Sequence, residues 1–213
     1  MIFLFCTIIY LGDNMKRKMA LFIVIIGTLG ILFTLIFHVL DNPATPLASG
    51  LGIFKYFTIL SNLIVVIYFW LLFSLKLDKS EVFNKWFGGV TVYITITGMV
   101  FVIILQDGFQ QIGFDKIGSI ICHYIMPILT VGFLIYYRKE YKFCFKDIFI
   151  WIAFPILYII FVLIRGSITN DYIYPFFELN SLGIGLFSIY LLAIVTFFGI
   201  LSTGLVYLTA QKK

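Results

Sequence analysis

The sequence predicts an all-α fold, a polytopic membrane bundle of six transmembrane helices with both termini in the cytoplasm. Three observations carry this reading. Of the 213 residues, 62% are hydrophobic and 12% charged, and the mean hydropathy is +1.10, well outside the usage of soluble domains. The apolar residues fall into runs close to the ~20 residues that cross a hydrocarbon core. The basic residues gather in alternate connections between those runs.

Each span is an apolar run between charge clusters. The first runs from Met19 to Leu40, after Lys16-Arg17-Lys18. The second runs from Phe54 to Leu75 and is closed by Lys76. The third covers Gly88 to Leu105, and the fourth, Gly118 to Tyr137, ends at Arg138-Lys139. The fifth is Ile148 to Ile164, stopped by Arg165, and the sixth is Leu182 to Leu208. Residues 1–18 form an N-terminal segment, residues 19–208 the membrane domain and residues 209–213 a cytoplasmic tail. Met1 to Gly12 is apolar but too short to span and lacks the basic start of a signal peptide, so Met15 is a candidate start.

Charge orients the bundle. Lys16, Arg17, Lys18, Lys76, Lys79, Lys85, Arg138, Lys139, Lys142, Lys146, Lys212 and Lys213 fall on one side, against Lys55, Lys116 and Arg165 on the other. The positive-inside rule makes the first side cytoplasmic. The net charge of +5 follows from these dispersed flanks, which meet anionic lipid heads and form no nucleic-acid stripe. The weight of Ile, Phe and Lys over Ala and Arg points to a bacterial plasma membrane.

No metal or cofactor is expected. Cys6, Cys122 and Cys144 have no metal-ligand spacing, and Cys122 and Cys144 belong near opposite membrane faces, too far apart for a disulfide. His38 and His123 could ligate one haem from two helices, but such histidines more often hydrogen-bond to loops or water.

Chemistry concentrates in two polar motifs set in apolar runs, Lys55-Tyr56-Phe57-Thr58-Ile59-Leu60-Ser61-Asn62 and Cys122-His123-Tyr124-Ile125-Met126-Pro127. Polar groups inside lipid cost free energy unless something uses them. Both spans enter from the outer face. Thr58 lies roughly 6 Å and His123 roughly 9 Å below the start of its span, at 1.5 Å per residue. The two side chains therefore share one layer and are expected within reach of a direct or single-water hydrogen bond. His38 ends the first span at the same face. Pro127 cannot bond the His123 carbonyl, which predicts a kink and a free acceptor. Thr58 and Asn62 share a helical face. The competing reading is plain: a membrane threonine commonly bonds back to the carbonyl three or four residues earlier. Gly183, Gly185, Gly199 and Gly204 read as sites of close helix packing.

These two motifs, with Tyr93-Ile94-Thr95-Ile96-Thr97-Gly98 and Arg165-Gly166 followed by Tyr174-Pro175-Phe176, resemble in order the bacterial relatives of the androgen-induced integral membrane proteins. The resemblance runs from about Phe54 to the end of the sixth span. It implies a multi-span threonine hydrolase cleaving esters between a fatty acid and a hydroxy fatty acid, with Thr58 as nucleophile and His123 as base. The animal members carry an acidic or amide residue where this chain has Ser61-Asn62, and a slightly longer gap between histidine and proline.

The expected reaction is acyl transfer to Thr58, with Asn62 and Ser61 as oxyanion or orienting groups. Arg165, Tyr174, His38 and Thr97 are candidates for the substrate head group or pocket wall. No orienting carboxylate lies within the spans, although Asp171 or Glu178 could reach down from the outer loop. The expected partner is a membrane lipid or amphiphilic ester. The alternative is a non-catalytic lipid- or amphiphile-binding protein or a small transporter; a transporter should show midplane acidic residues or broken helices, and none is visible.

Overall fold

The computed structural model describes residues 2–108 and 111–210, with side chains from Asn14 onward. Six helices are long and apolar enough to cross a membrane: Asn14–Asp41, Phe57–Leu75, Glu81–Gly108, Gly113–Glu140, Phe145–Thr169 and Leu179–Thr209. These are numbered here as the first to sixth spans. The helix of the first begins at Ile2. The Cys6 side chain and the end of the expected tail lie outside what is described.

The spans extend past the apolar runs because polar residues cap them. The third begins at Glu81, not Gly88, since Ser80 accepts the Phe83 N–H at 3.3 Å, satisfying a first-turn donor. The fifth begins at Phe145, where the Asp147 carboxylate reaches back to the Cys144 N–H at 2.8 Å. It ends at Asn170, a left-handed residue with φ of 52° whose N–H bonds the Gly166 carbonyl at 2.9 Å, a role asparagine tolerates. The second begins at Phe57, three residues later than expected, because a tight turn over Ile53–Lys55 and extended Tyr56 precede it.

The third span is the axis of the bundle. Its apolar window is 67% buried, against 6% for the sixth span. The first span packs on the second and fourth, while the third meets the second, fourth, fifth and sixth. At one end the core is aromatic: Tyr68 stacks on Phe83 and Phe87 at 4.3 and 4.7 Å. Each such pair adds about 0.5–1.5 kcal/mol beyond its burial. Trp151 of the fifth span fills a notch made by Gly88 and Gly89. Its indole N–H donates to the Lys85 carbonyl at 2.9 Å, and Tyr93 donates to the Trp151 carbonyl at 2.5 Å.

The charged flank at this end is partly structural. Lys16, expected among lipid head groups, is buried and pairs with Glu140 at 2.6 Å. Arg17 donates to the Phe73 carbonyl at 2.8 Å. Phe143 N–H donates to Thr209 at 3.2 Å. The start of the first span, the ends of the second, fourth and sixth, and the entry to the fifth therefore meet at one end of the bundle. His38, Lys55, Asp115 and Arg165 stand at the other.

The glycines of the sixth span do not serve close packing. A Cβ at Gly185, Gly199 or Gly204 would meet nothing within 4 Å. Gly183 instead breaks the helix with φ of 68°, a conformation that only glycine adopts readily.

Candidate functional site

The site forms where the second, third and fourth spans meet, and the local sequence shapes each of them. Pro127 has no N–H for the His123 carbonyl. The fourth span consequently widens into a π turn over Ile121–Ile125, with the Met126 N–H bonded to the Ile121 carbonyl. The third widens likewise over Phe101–Leu105. Such turns re-aim side chains and are frequent at functional sites. Gly98 lets the two helices close: a Cβ there would stand 2.8 Å from the His123 carbonyl oxygen and 2.9 Å from Pro127. Phe101 then lies flat on the His123 ring, centroids 3.8 Å apart.

Thr58 and His123 come together. Thr58 Oγ1 lies 3.1 Å from His123 Nε2. On the other side of the ring, Nδ1 lies 3.1 Å from the Ser119 carbonyl oxygen and 3.0 Å from the Ser119 hydroxyl. A carbonyl only accepts, so in the neutral ring Nδ1 carries the proton and Nε2 keeps the lone pair for the Thr58 hydroxyl. Ser119 stood out in no motif; its position one helical turn before His123 was the available signal.

Asn62 and Ser61 hold the pair in place. The Asn62 amide nitrogen donates to the Thr58 carbonyl at 2.8 Å and to the Cys122 carbonyl at 3.2 Å, tying the second span to the fourth. With both N–H groups engaged it orients the site and has no donor left for an oxyanion. Ser61 bonds the Thr58 carbonyl at 3.0 Å and meets Thr97 at 2.7 Å.

Two tyrosines close the site on the side of Lys55. The Phe57 N–H donates to the phenol oxygens of Tyr158 at 3.0 Å and Tyr174 at 3.1 Å. Tyr158 in turn donates to the Lys55 carbonyl at 2.9 Å. Tyr174 lines two cavities with Thr58, and burial pushes its phenol pKa above the ordinary value, keeping it protonated. Tyr158 carried no expectation from sequence, since a tyrosine in a membrane span reads first as belt or bulk.

Two cavities meet at Thr58. One, of about 90 Å³, is almost wholly apolar, walled by Val100, Pro155, Ile159, Ile194 and Phe198 with Thr97 at its edge. The other, of about 200 Å³, is more polar and includes His38, Gln111, Asp115, Ser119 and His123. Thr58 and Tyr174 line both.

Arg165 lines neither cavity. Its guanidinium is paired with Asp171 at 2.7 Å, and this hydrogen bond holds the Asp171 carboxyl below the usual carboxylate range. Asp171 and Glu178 do not line the cavities either, so neither loop carboxylate reaches His123. Both ring nitrogens of His123 have protein partners, and no group of three or more His, Cys, Asp or Glu that could hold a metal occurs among the described residues. Comparison of the chain with protein-family models, with curated proteins and with solved structures gave no match.

Proposed function

We propose that the protein is an integral membrane hydrolase of lipid esters, of the fatty acid ester of hydroxy fatty acid type or a related one, with Thr58 as nucleophile and His123 as base. The observation that carries this is the 3.1 Å contact between Thr58 Oγ1 and His123 Nε2 at the junction of an apolar and a polar cavity. Amphiphilic esters have this division: the acyl chain suits the apolar arm, the alcohol the polar one, and the ester bond falls between them.

In this mechanism His123 Nε2 takes the Thr58 proton as Oγ1 attacks the ester carbonyl. The Nδ1–H stays hydrogen-bonded to the Ser119 carbonyl, which stabilises the imidazolium. Collapse of the tetrahedral intermediate breaks the bond to the alcohol oxygen, which receives the proton from Nε2. Water, deprotonated by the same nitrogen, then attacks the acyl-threonine, releases the fatty acid and returns the proton to Oγ1. Tyr174, rather than Asn62, supplies the oxyanion donor. It lines both cavities beside Thr58, and the Thr58 N–H belongs to a first helical turn, whose donors have no intrahelical acceptor.

A fluorophosphonate probe tests this reading. Labelling of the parent that disappears in Thr58→Ala and in His123→Ala is the expected result. Tight binding of esters by a parent that neither labels nor turns them over would support the non-catalytic binding protein instead.

A further inference from the structure

The polar cavity is one-sided in its charge. Among the described residues Asp115 is its one carboxylate, and no lysine or arginine lines it. Arg165 pairs with Asp171 at 2.7 Å, and neither it nor Lys55 nor Lys116 lines the cavity. His38 adds an acceptor in its neutral form: Nδ1 lies 3.0 Å from the Thr34 carbonyl, so in the neutral ring the proton sits there and Nε2 keeps its lone pair. Around these acceptors stand the rings of Phe37, Tyr56 and Phe101.

From this arrangement we infer that the alcohol half of the substrate is a hydrogen-bond-donating head group without negative charge, a polyol or an amino alcohol. This rests on the Thr58 hydrolase reading and replaces the hydroxy fatty acid as the alcohol half, because that alcohol carries a carboxylate. A carboxylate or phosphate entering this cavity meets the Asp115 charge, with no lysine or arginine among the described lining residues to offset its lost hydration. A hydroxyl donates to Asp115 and His38, and an ammonium adds attraction to the carboxylate and the aromatic faces. The acyl chain fills the arm between the third, fifth and sixth spans, so the cavity walls and not Arg165 select the head group.

The test is hydrolysis by the full-length protein in lipid nanodiscs of four esters sharing one long acyl chain, on glycerol, choline, a hydroxy fatty acid and glycerol phosphate. The expected kcat/KM for the glycerol or the choline ester exceeds that of both anionic esters by about tenfold or more. Preference for glycerol identifies hydroxyl recognition and preference for choline identifies ammonium recognition, and either supports the inference. Asp115→Asn should shrink the discrimination against the anionic esters, while Asp115→Glu, which keeps the charge, should retain it. Equal or faster turnover of the anionic esters by the parent overturns the inference and leaves the Thr58 hydrolase standing. Absence of turnover on all four overturns the hydrolase instead. In that event the order of binding, measured by competition with a fluorescent acylcholine, decides the inference: anionic ligands binding as tightly as the others would sink it.

Discussion

Thr34, Thr91, Thr95 and Thr97 all donate their hydroxyls to the carbonyl four residues earlier, as threonines in membrane helices commonly do. Thr58 faces His123 Nε2, and this departure marks it as a nucleophile candidate. Ser119→Ala should lower kcat by roughly tenfold without abolishing it, since the backbone carbonyl on Nδ1 survives; steady-state kinetics on a long-chain ester checks this, and an unchanged kcat would remove the hydroxyl from the mechanism. Asn62→Ala breaks two bonds to carbonyls and should cost about 1–3 kcal/mol of stability, read as a lower thermal midpoint in detergent. At this scale Thr58, Asn62 and His123 were legible because a buried hydroxyl, amide and imidazole are each costly. The engagement of both Asn62 N–H groups and the role of Ser119 were not, since a hydrogen-bond partner depends on rotamer and register.

Helix distortion builds the site. Pro127 was readable as the cause of a kink, but the matching π turn at Phe101–Leu105 has no such signature, because no proline follows it. Pro127→Ala supplies the missing N–H and lets the His123 carbonyl regain its bond, rotating the imidazole away from Thr58. The protein should fold, and kcat should fall by about a hundredfold, the usual effect of a displacement near 1 Å; activity equal to the parent would contradict the role given to the π turn. Gly88→Val addresses the other end, where a Cβ would stand 2.0 Å from the Trp151 ring. Overpacking there should lower stability by about 1–3 kcal/mol, seen as a reduced thermal midpoint with full activity in the fraction that remains folded. The six spans were legible as apolar runs. Their ends moved where Ser80, Cys144 and Asn170 capped helices beyond the last apolar residue, and caps are short-range events that hydropathy averages away.

For the molecule as a whole, the basic flanks at one end predict which way it sits. In a variant freed of its native cysteines, single cysteines at positions 79 and 142 should resist a membrane-impermeant maleimide in intact cells, whereas one at position 167 should react. Reaction at 79 would invert the proposed topology. The same flanks were read as lipid-facing charge, and for Lys16 that reading missed burial against Tyr137 and Tyr141 with Glu140 as partner. Charge counts carry no information on which lysine is covered by another span. Glu140→Gln should therefore lower the thermal midpoint, whereas Glu81→Gln, which breaks the exposed pair to Lys85, should leave it nearly unchanged.

The most direct measurement is the rate at which purified Thr58→Ala, shown to be folded by its thermal midpoint, hydrolyses a long-chain ester that the parent turns over in the same nanodiscs. With Thr58 as the nucleophile the rate should fall by about a thousandfold or more, and His123→Ala on top of it should change little, because a nucleophile and its base act as one unit. Turnover by Thr58→Ala at the parental rate would contradict the mechanism.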